Sequence, residues 1–237
     1  MNEEKQNKSN NLTIALSLII VGLIIAGAIY FRGDNKGNNP SQVPSQTTTV
    51  DISKVDIKDE PFIGDPNAPV TIAYWSDFQC TFCGRFEKET MPKIVDKYVK
   101  TGKVKIVFKD FQFLGPDSID AGLVENAVWD LYRDQYEAWH DAMFEAQDEE
   151  NGGFGNLDSI LTLIRTKLPS IDADKIKTQV DSERASYEKE MDADKAEGSS
   201  FGINGTPGFI IGNQVISGAQ PINVFTSLID SELSKIK

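Results

Sequence analysis

Two cysteines separated by two residues are the strongest chemical signal in the sequence. Cys80 and Cys83 are the only cysteines of the 237-residue chain. Their spacing allows the second thiol to reach back and close a small disulfide with the first. A C-x-x-C spacing also lowers a cysteine pKa and so favours the reactive thiolate. Such a pair can exchange a disulfide with the thiols of another molecule.

The elements around the pair are those that would activate it. The apolar run 70–75 predicts a buried strand before the motif, and the apolar side of 85–99 predicts a helix after it. Cys80 is then expected at or just before a helix N-terminus, where unpaired backbone N–H groups and the helix dipole favour a thiolate. The order strand, C-x-x-C and helix indicates a redox-active pair.

Other uses of the pair find less support in the composition. A zinc site usually takes four Cys or His ligands, and His140 is the only histidine. Neither a metal nor a cofactor beyond the Cys80–Cys83 disulfide is therefore expected, although a half-site completed by a second subunit and an inert structural disulfide stay open as alternatives. The formal net charge of −12 leaves no basic stripe for phosphates, which disfavours nucleic-acid binding.

Two other polar features invite a functional interpretation. His140 lies in a predicted helix, where a packing or hydrogen-bonding role is more typical than that of a catalytic base. The segment 148–151, Asp-Glu-Glu-Asn, is acidic enough for calcium but lacks the spaced oxygen ligands of a calcium loop. It is interpreted as the solvated end of a helix.

The N-terminal region is organised around an uncharged run. Residues 1–11 form a short polar tail, and the 20 residues of 12–31 carry no charge. A helix of about 20 residues spans about 30 Å, which is enough for a bilayer core. The run is either a transmembrane anchor that stops at Arg32 or a signal peptide cleaved at the Ala-Gly-Ala sequence 26–28. Because it continues through Phe31, the anchor is favoured.

A flexible linker is expected between this run and a folded domain. Residues 32–60 are rich in Asn, Gly, Pro, Ser, Gln and Thr and show no apolar periodicity until Val55 and Ile57. The folded domain is expected at 61–237. An export-type segment followed by a large acidic domain indicates a single-pass protein of the cell membrane whose domain is extracytoplasmic.

The rest of the domain alternates between strand and helix patterns. Pro92 lies within the predicted helix 85–99, where it is expected to cause a kink. Four further segments are predicted: a strand at 104–108, a helical block at about 115–199, a strand–turn–strand unit within 205–218, and a closing helix at 222–236.

This order of elements resembles the DsbA-like branch of the thioredoxin superfamily, in particular its membrane-anchored, thioredoxin_4-type members. The resemblance covers about 60–237. It is carried by Ser-Asp-Phe-Gln-Cys-Thr-Phe-Cys at 76–83 and Gly-Thr-Pro-Gly-Phe-Ile-Ile-Gly at 205–212, with helices between them. The implied fold is α/β and thioredoxin-like with an inserted helical domain, preceded here by one N-terminal transmembrane helix.

The resemblance also implies roles for individual residues. Cys80 would be the nucleophile that forms a mixed disulfide with substrate, and Cys83 would be the buried partner that resolves it. Pro207 would be a cis-proline facing the disulfide. Thr206 would offer its backbone to an extended substrate peptide, as in strand addition.

Two positions depart from the family pattern. Many relatives have an acidic residue at the position of Tyr74, where a buried carboxylate assists proton transfer; here Asp77 or bound water would have to do so, or nothing does. Between the cysteines, Thr81 and Phe82 lack the histidine that strongly oxidising relatives carry beside the second cysteine. The redox potential is therefore left open.

The expected function is that of a membrane-tethered thiol–disulfide oxidoreductase that passes a disulfide to reduced, exported polypeptides. The resemblance implies a membrane quinone reductase as the partner that reoxidises the dithiol. A monomer is expected. Two alternatives stay open: a reductase or isomerase fed by a membrane electron donor, and a non-catalytic peptide-binding module with a structural disulfide.

Overall fold

The structure is a computed structural model that describes residues 50–236. The predicted polar tail 1–11 and the predicted anchor or signal peptide 12–31 lie outside these residues, as does most of the predicted linker. Among the helices of residues 50–236, none is both long and apolar enough to cross a membrane.

Five strands and seven α-helices make up this part of the chain. The strands are β1 (Phe62–Ile63), β2 (Val70–Ser76), β3 (Val104–Asp110), β4 (Gly208–Ile211) and β5 (Gln214–Ser217). The helices are α1 (Thr81–Glu89), α2 (Met91–Ile94), α3 (Pro116–Leu131), α4 (Tyr136–Ala146), α5 (Leu157–Lys167), α6 (Ala173–Ser200) and α7 (Ile222–Lys235). Short 3-10 turns occur at Ile52–Lys54 and Arg133–Gln135, and a π-helical turn at Val95–Val99 follows α2.

The strands form one mixed sheet in the order β1-β3-β2-β4-β5. Strands β2 and β3 are parallel, with Val70 opposite Val104 and Ser76 opposite Asp110, and the other neighbours are antiparallel. The predicted strands 70–75 and 104–108 are confirmed and extend slightly. Because β2 and β3 end at the same edge, the loops that follow them lie side by side, and this edge carries the cysteine pair.

The two faces of the sheet are covered by different parts of the chain. Ile72 and Tyr74 of β2 face the main core, which the helices complete. Ala73 and Trp75 point the other way, into a smaller cluster that includes Val50 and Val55. Successive side chains of a strand point to opposite faces of the sheet. Because both faces of β2 are buried, nearly every residue of this strand must be apolar.

Residues 50–60 fall within the predicted linker, but in the structure they are part of the folded body. Val50 and Val55 are buried against the sheet, and the N–H of Ile52 donates a hydrogen bond to the carbonyl of Gly212 at 2.8 Å. The segment has no regular periodicity because it packs through isolated apolar residues. Its position depends on the apolar sheet face that it covers.

Lys109 ties this N-terminal segment to α6. Its ammonium group lies 2.5 Å from a carboxylate oxygen of Glu60, 2.5 Å from one of Asp194 and 3.3 Å from one of Glu197. It also donates to the carbonyl of Asp56 at 2.8 Å. The lysine side chain is 1% exposed, so it is a buried positive charge surrounded by carboxylates.

The helix predicted at 85–99 is interrupted at Thr90, two residues before Pro92, where the kink was expected. Helix α1 ends at Glu89, and Thr90 departs from regular helical geometry with φ −114° before α2 begins at Met91. Pro92 then occupies the first turn of α2, where its missing N–H costs no helical hydrogen bond. The helices α3 to α6, between Pro116 and Ser200, occupy the segment where the helical insertion was expected.

Candidate active site

Cys80 is the N-cap residue of α1, directly before the first helical residue Thr81. Its own N–H closes a turn onto the carbonyl of Asp77 at 2.9 Å. Both cysteines are present as thiols. Cys80 is 6% exposed and Cys83 is 0% exposed. The geometry therefore offers one sulfur to an incoming molecule and withholds the other.

The two thiols are also distinguished by their electrostatics. A hydrogen bond from the thiol of Cys83 is the largest influence lowering the pKa of Cys80 to about 6; burial opposes it, and Thr206 and the N–H groups of Cys83 and Phe82 add to it. Burial raises the pKa of Cys83 well above its usual value, and the neighbouring Cys80 raises it further. Near neutral pH the pair therefore holds one thiolate, on Cys80.

The lowered pKa predicts a thiolate titration in the reduced protein. With a pKa of about 6 for Cys80, about 90% of this residue is thiolate at pH 7, against a few per cent for a cysteine of ordinary pKa, about 8.5. Absorbance at 240 nm should rise with a midpoint near pH 6 in wild type. The midpoint should move upward in Cys83→Ala, because the largest stabilising contact is removed. A wild-type midpoint at the ordinary value would contradict the assignment.

The loop from α6 to β4 completes the site. The Thr206–Pro207 peptide bond is cis, and the sulfur of Cys80 lies 3.4 Å from the carbonyl oxygen of Thr206. Gly208 opposes Trp75 in the β2–β4 ladder, which brings this loop to the end of β2. A side chain at Gly208 would not fit, because its Cβ would lie 2.5 Å from Ile203. The structure thus brings together Cys80, Cys83, Thr206 and Pro207, the residues to which the resemblance assigned catalytic or substrate-binding roles.

The two residues between the cysteines face solvent. Thr81 is exposed, and Phe82 is 56% exposed. The guanidinium of Arg85 lies 5.0 Å from the centre of the Phe82 ring, a distance at which a cation–π attraction can orient the ring. An aromatic side chain is therefore displayed beside Cys80.

Asp77 organises the loop before the motif. Its carboxylate accepts hydrogen bonds from the N–H of Gln79 at 2.9 Å, the N–H of Phe113 at 3.1 Å and the hydroxyl of Ser118 at 2.6 Å. Burial raises the pKa of Asp77, and these hydrogen bonds oppose the increase. Since these partners fasten the β2–α1 loop to the β3–α3 loop, Asp77 is a positioning residue, and the carboxylate shows no hydrogen bond to either sulfur within residues 50–236.

Tyr74 occupies the strand position for which the sequence analysis expected an acidic residue in relatives. Its ring stacks on Phe209 with ring centres 4.6 Å apart. Its hydroxyl is buried, has no hydrogen-bond partner among the described residues, and lies beside Cys83 and Glu87. Burial, followed by these two neighbours, raises the pKa of Tyr74 well above its usual value. The phenol is therefore neutral at physiological pH.

Gln147, at the end of α4, was not identified from the sequence. Its side-chain amide donates to the carbonyl of Phe78 at 2.7 Å and to that of Cys80 at 3.0 Å. A Cβ at Gly84 would lie 1.8 Å from its amide oxygen. The glycine that follows Cys83 was the available signal, because it marks where another element approaches α1 closely.

The acidic segment 148–151 follows Gln147 and contacts the active-site loop. Gln79 accepts from the N–H of Asn151 at 2.9 Å and donates to the carbonyl of Phe154 at 2.8 Å. Asp148 accepts from the N–H of Phe154 at 3.2 Å. Across residues 50–236, no group of three or more His, Cys, Asp or Glu side chains is arranged to hold a metal ion. The insertion thus reaches the motif through its loop.

A family model described as thioredoxin, Thioredoxin_4, matches residues 56–231. The chain belongs to the Thioredoxin_4 family. Disulfide bond formation protein D of Bacillus subtilis is 27% identical over 75% of this chain and 78% of its own length. A Bacillus anthracis protein named "Probable disulfide bond formation protein D" is 25% identical over 96% of this chain and 100% of its own length.

Solved structures agree with the Thioredoxin_4 assignment. Oxidised BdbD from Bacillus subtilis aligns with a TM-score of 0.68 at 25% identity, covering 75% of this chain and 95% of that one. The α-DsbA1 protein of Wolbachia pipientis, at 20% identity, shares the fold with a TM-score of 0.65 over 76% of this chain and 96% of its own. This family member is a DsbA-like protein disulfide oxidoreductase with a thioredoxin-like α/β fold.

Proposed function

We propose that this oxidoreductase forms disulfide bonds in exported polypeptides by donating a disulfide held between Cys80 and Cys83. The observation that carries the proposal is the asymmetry of the pair. Cys80 is at a helix N-terminus with a pKa lowered to about 6 and faces the Thr206 carbonyl, whereas Cys83 is fully buried. Stabilising the Cys80 thiolate stabilises the reduced enzyme, which makes its disulfide a better oxidant.

The exchange proceeds in two balanced steps. A substrate thiolate attacks the sulfur of Cys80; the mixed disulfide forms, the Cys80–Cys83 bond breaks, and Cys83 leaves with the electron pair and takes up a proton. A second substrate thiolate then attacks the substrate sulfur of the mixed disulfide, and Cys80 leaves as a thiolate. The substrate loses two electrons and the enzyme gains them, so a membrane quinone reductase is proposed as the reoxidant.

Substrate polypeptide would bind across the Thr206–Pro207 loop. Proline has no N–H, so Pro207 can lie close to Cys80, while the backbone of Thr206 can pair with an extended chain in strand-addition fashion. The exposed ring of Phe82 adds an apolar contact beside the reacting sulfur. Because backbone hydrogen bonds do not depend on side chains, this mode of binding would accept unfolded substrate polypeptides of varied sequence.

The proposed location is the outer face of the cell membrane, with the domain tethered through 12–31. The uncharged run at 12–31 supports this proposal, as do relatives named for disulfide bond formation, a reaction that persists in oxidising compartments.

The reduction potential of the purified protein, titrated against glutathione, tests the direction of transfer. A value near about −120 mV, the range of a strong oxidant, is expected for a disulfide donor. A value near about −270 mV would contradict donation and favour a reductase fed by a membrane electron donor. A disulfide that resists reduction well below about −300 mV would favour a structural bond in a peptide-binding module.

A further inference from the structure

Arg85 is a positive charge without a carboxylate partner at the edge of the active site. Of the four arginines in residues 50–236, Arg165 and Arg184 form ion pairs with carboxylates. None of the ion pairs within this part of the chain includes Arg85, although Glu89 is one helical turn further along α1. Because Arg85 is exposed, an anion from another molecule can reach it.

Two contacts hold the guanidinium group of Arg85 in place and leave most of its donors free. The group lies 5.0 Å from the centre of the Phe82 ring, and one of its nitrogens donates to the carbonyl of Ala219 at 3.4 Å. A guanidinium group has five N–H donors in a planar fork, and the ring face occupies none of them. The remaining donors can bind both oxygens of a carboxylate. Since the group is already positioned, less side-chain entropy is lost when an anion binds.

The contact with Ala219 places Arg85 beside the proposed substrate-binding loop. The N–H of Gly218 donates to the carbonyl of Pro207 at 2.8 Å, so the segment that anchors Arg85 directly adjoins the loop that carries Thr206. A polypeptide paired with the backbone of Thr206, with its cysteine at the reacting sulfur, would pass Arg85 as it leaves the site in one direction.

We propose that Arg85 binds a carboxylate side chain of the substrate polypeptide, so that the enzyme prefers cysteines with Asp or Glu close by in the chain. The inference rests on the disulfide donation proposed above and adds a substrate preference to it. In an extended chain, residues two positions apart face the same side and are about 7 Å apart. Arg85 follows Cys80 by five positions, which is about 7.5 Å along the helix axis. The carboxylate is therefore expected two residues from the reacting cysteine of the substrate.

The net charge of the protein would by itself produce the opposite preference. The formal net charge of the chain is −12, and long-range repulsion between like charges slows the approach of an acidic peptide. A preference for an acidic substrate therefore requires a local positive charge at the binding site. This difference in sign separates the proposed contact from a general electrostatic effect.

The test compares reduced dithiol peptides that differ only in having Glu or Gln at the position two residues before, or two residues after, each cysteine. Oxidised full-length protein is mixed with excess peptide at pH 7, and its reduction is followed by tryptophan fluorescence, so no reoxidant is needed. At low ionic strength, we expect the second-order rate constant for at least one Glu placement to exceed that for Gln by about three- to five-fold, the upper range for an exposed ion pair. The preference should disappear in about 1 M salt, where the Debye length is about 3 Å.

Arg85→Gln should reduce the ratio of the Glu and Gln rate constants to one or below. Arg85→Lys should retain part of the preference, because it keeps the charge and loses the planar fork. The Cys80 thiolate titration should keep its midpoint near pH 6 in both variants, since the hydrogen bonds that lower this pKa come first from Cys83 and then from Thr206. The loss of preference would then report peptide binding and not altered reactivity of the cysteine pair.

Arg133→Gln is the matched control. The guanidinium group of Arg133 also lies over an aromatic ring, 4.8 Å from the centre of Trp129. Helix α3 starts beside Asp77, where Ser118 donates to that carboxylate, and Arg133 follows the other end of this helix. The 16 residues of α3 span about 24 Å. This variant makes the same change in net charge away from the site, so it should keep the wild-type preference.

Two results would overturn the proposal, and they are distinguishable. Equal rate constants for the Glu and Gln peptides in wild type, or a Glu preference that survives in Arg85→Gln, would show that Arg85 does not bind a substrate carboxylate and would leave disulfide donation standing. If oxidised wild-type protein reacts with none of the peptides, disulfide donation itself is wrong, and the substrate preference is wrong with it.

Discussion

Replacing Cys80 by serine is expected to reduce the oxidation of a dithiol peptide to the uncatalysed rate. The hydroxyl of serine is not ionised at neutral pH and cannot form a mixed disulfide, whereas the Cys80 thiol has a pKa lowered to about 6. Cys83→Ser should also abolish turnover, but by a different route. It keeps the Cys80 thiolate but can form no disulfide to donate. With oxidised glutathione present, the Cys80 thiolate attacks one sulfur, one glutathione leaves as a thiolate, and the glutathione adduct should stay on Cys80 because the Cys83 thiol that would displace it is missing.

Peptide oxidation measured by fluorescence, together with intact-protein mass spectrometry, separates the two variants. The adduct should be found in Cys83→Ser and be absent from Cys80→Ser, which makes each variant the control for the other. Full activity in Cys80→Ser, or an adduct on Cys83 instead of Cys80, would show that the roles of the cysteines are assigned incorrectly.

Replacing Lys109 by methionine is expected to destabilise the protein by about 3–5 kcal/mol at pH 7, the usual cost of removing one partner of a buried ion pair. The ammonium group is 2.5 Å from oxygens of both Glu60 and Asp194. Burial alone would lower the pKa of Lys109, but these carboxylates outweigh it and raise the pKa above its usual value. Without the lysine, the buried carboxyl groups of Glu60 and Asp194 would lose the positive charge and the hydrogen-bond donor that they share.

The destabilisation caused by Lys109→Met should depend on pH, because the buried carboxyl groups near Lys109 change their protonation. Burial, with Asp194 nearby, raises the pKa of Glu60 to about 9 and that of Asp110 to about 7. A group whose pKa is raised by folding contributes its stability below the unfolded pKa and loses it as the pH rises through the folded pKa. Wild-type stability should therefore fall between pH 5 and pH 9. The deficit of Lys109→Met should shrink at pH 5, where the carboxyls can be protonated.

Urea denaturation followed by tryptophan fluorescence measures both effects. Lys105→Met is the matched control, since Lys105 is on the same strand and, within residues 50–236, its ammonium group hydrogen-bonds only to the carbonyl of Pro66, at 3.3 Å. The control should change the free energy of unfolding by less than about 1 kcal/mol. Equal stabilities of Lys109→Met and Lys105→Met at pH 7 would show that the carboxylate cluster does not depend on its lysine.

Tyr74 and the Lys109 cluster lie on opposite faces of the same sheet. Tyr74 of β2 faces the main core, next to Cys83, while its neighbour Trp75 faces the cluster that includes Val50 and Val55. One strand thus packs against the core that holds Cys83 on one face and anchors residues 50–60 on the other. Loss of Lys109 should therefore affect stability and leave the midpoint of the Cys80 thiolate titration unchanged.

Local sequence patterns were sufficient to predict the two reacting cysteines and the strand and helix on either side of them. The strand before Cys80 and the helix after it are encoded by contiguous patterns, an apolar run and a helical repeat, so their order could be predicted. The Thr206–Pro207 pair was assigned to the site by family resemblance, and its carbonyl does lie 3.4 Å from the Cys80 sulfur. The position of Cys80 at the helix N-terminus, with Cys83 in the first turn, is determined by residues only a few positions away in the sequence.

Features formed between distant segments could not be predicted in this way. Gln147 reaches Cys80 across 67 positions, and His140 reaches Glu87 across 53. Both residues look ordinary in their own helices. The sequence of 50–60 resembles a linker because it has no regular apolar periodicity. The segment is held in place by Lys109 and by the apolar face of the sheet. Periodicity reports which face of an element is buried, but the identity of the partner across that face depends on how the whole chain packs.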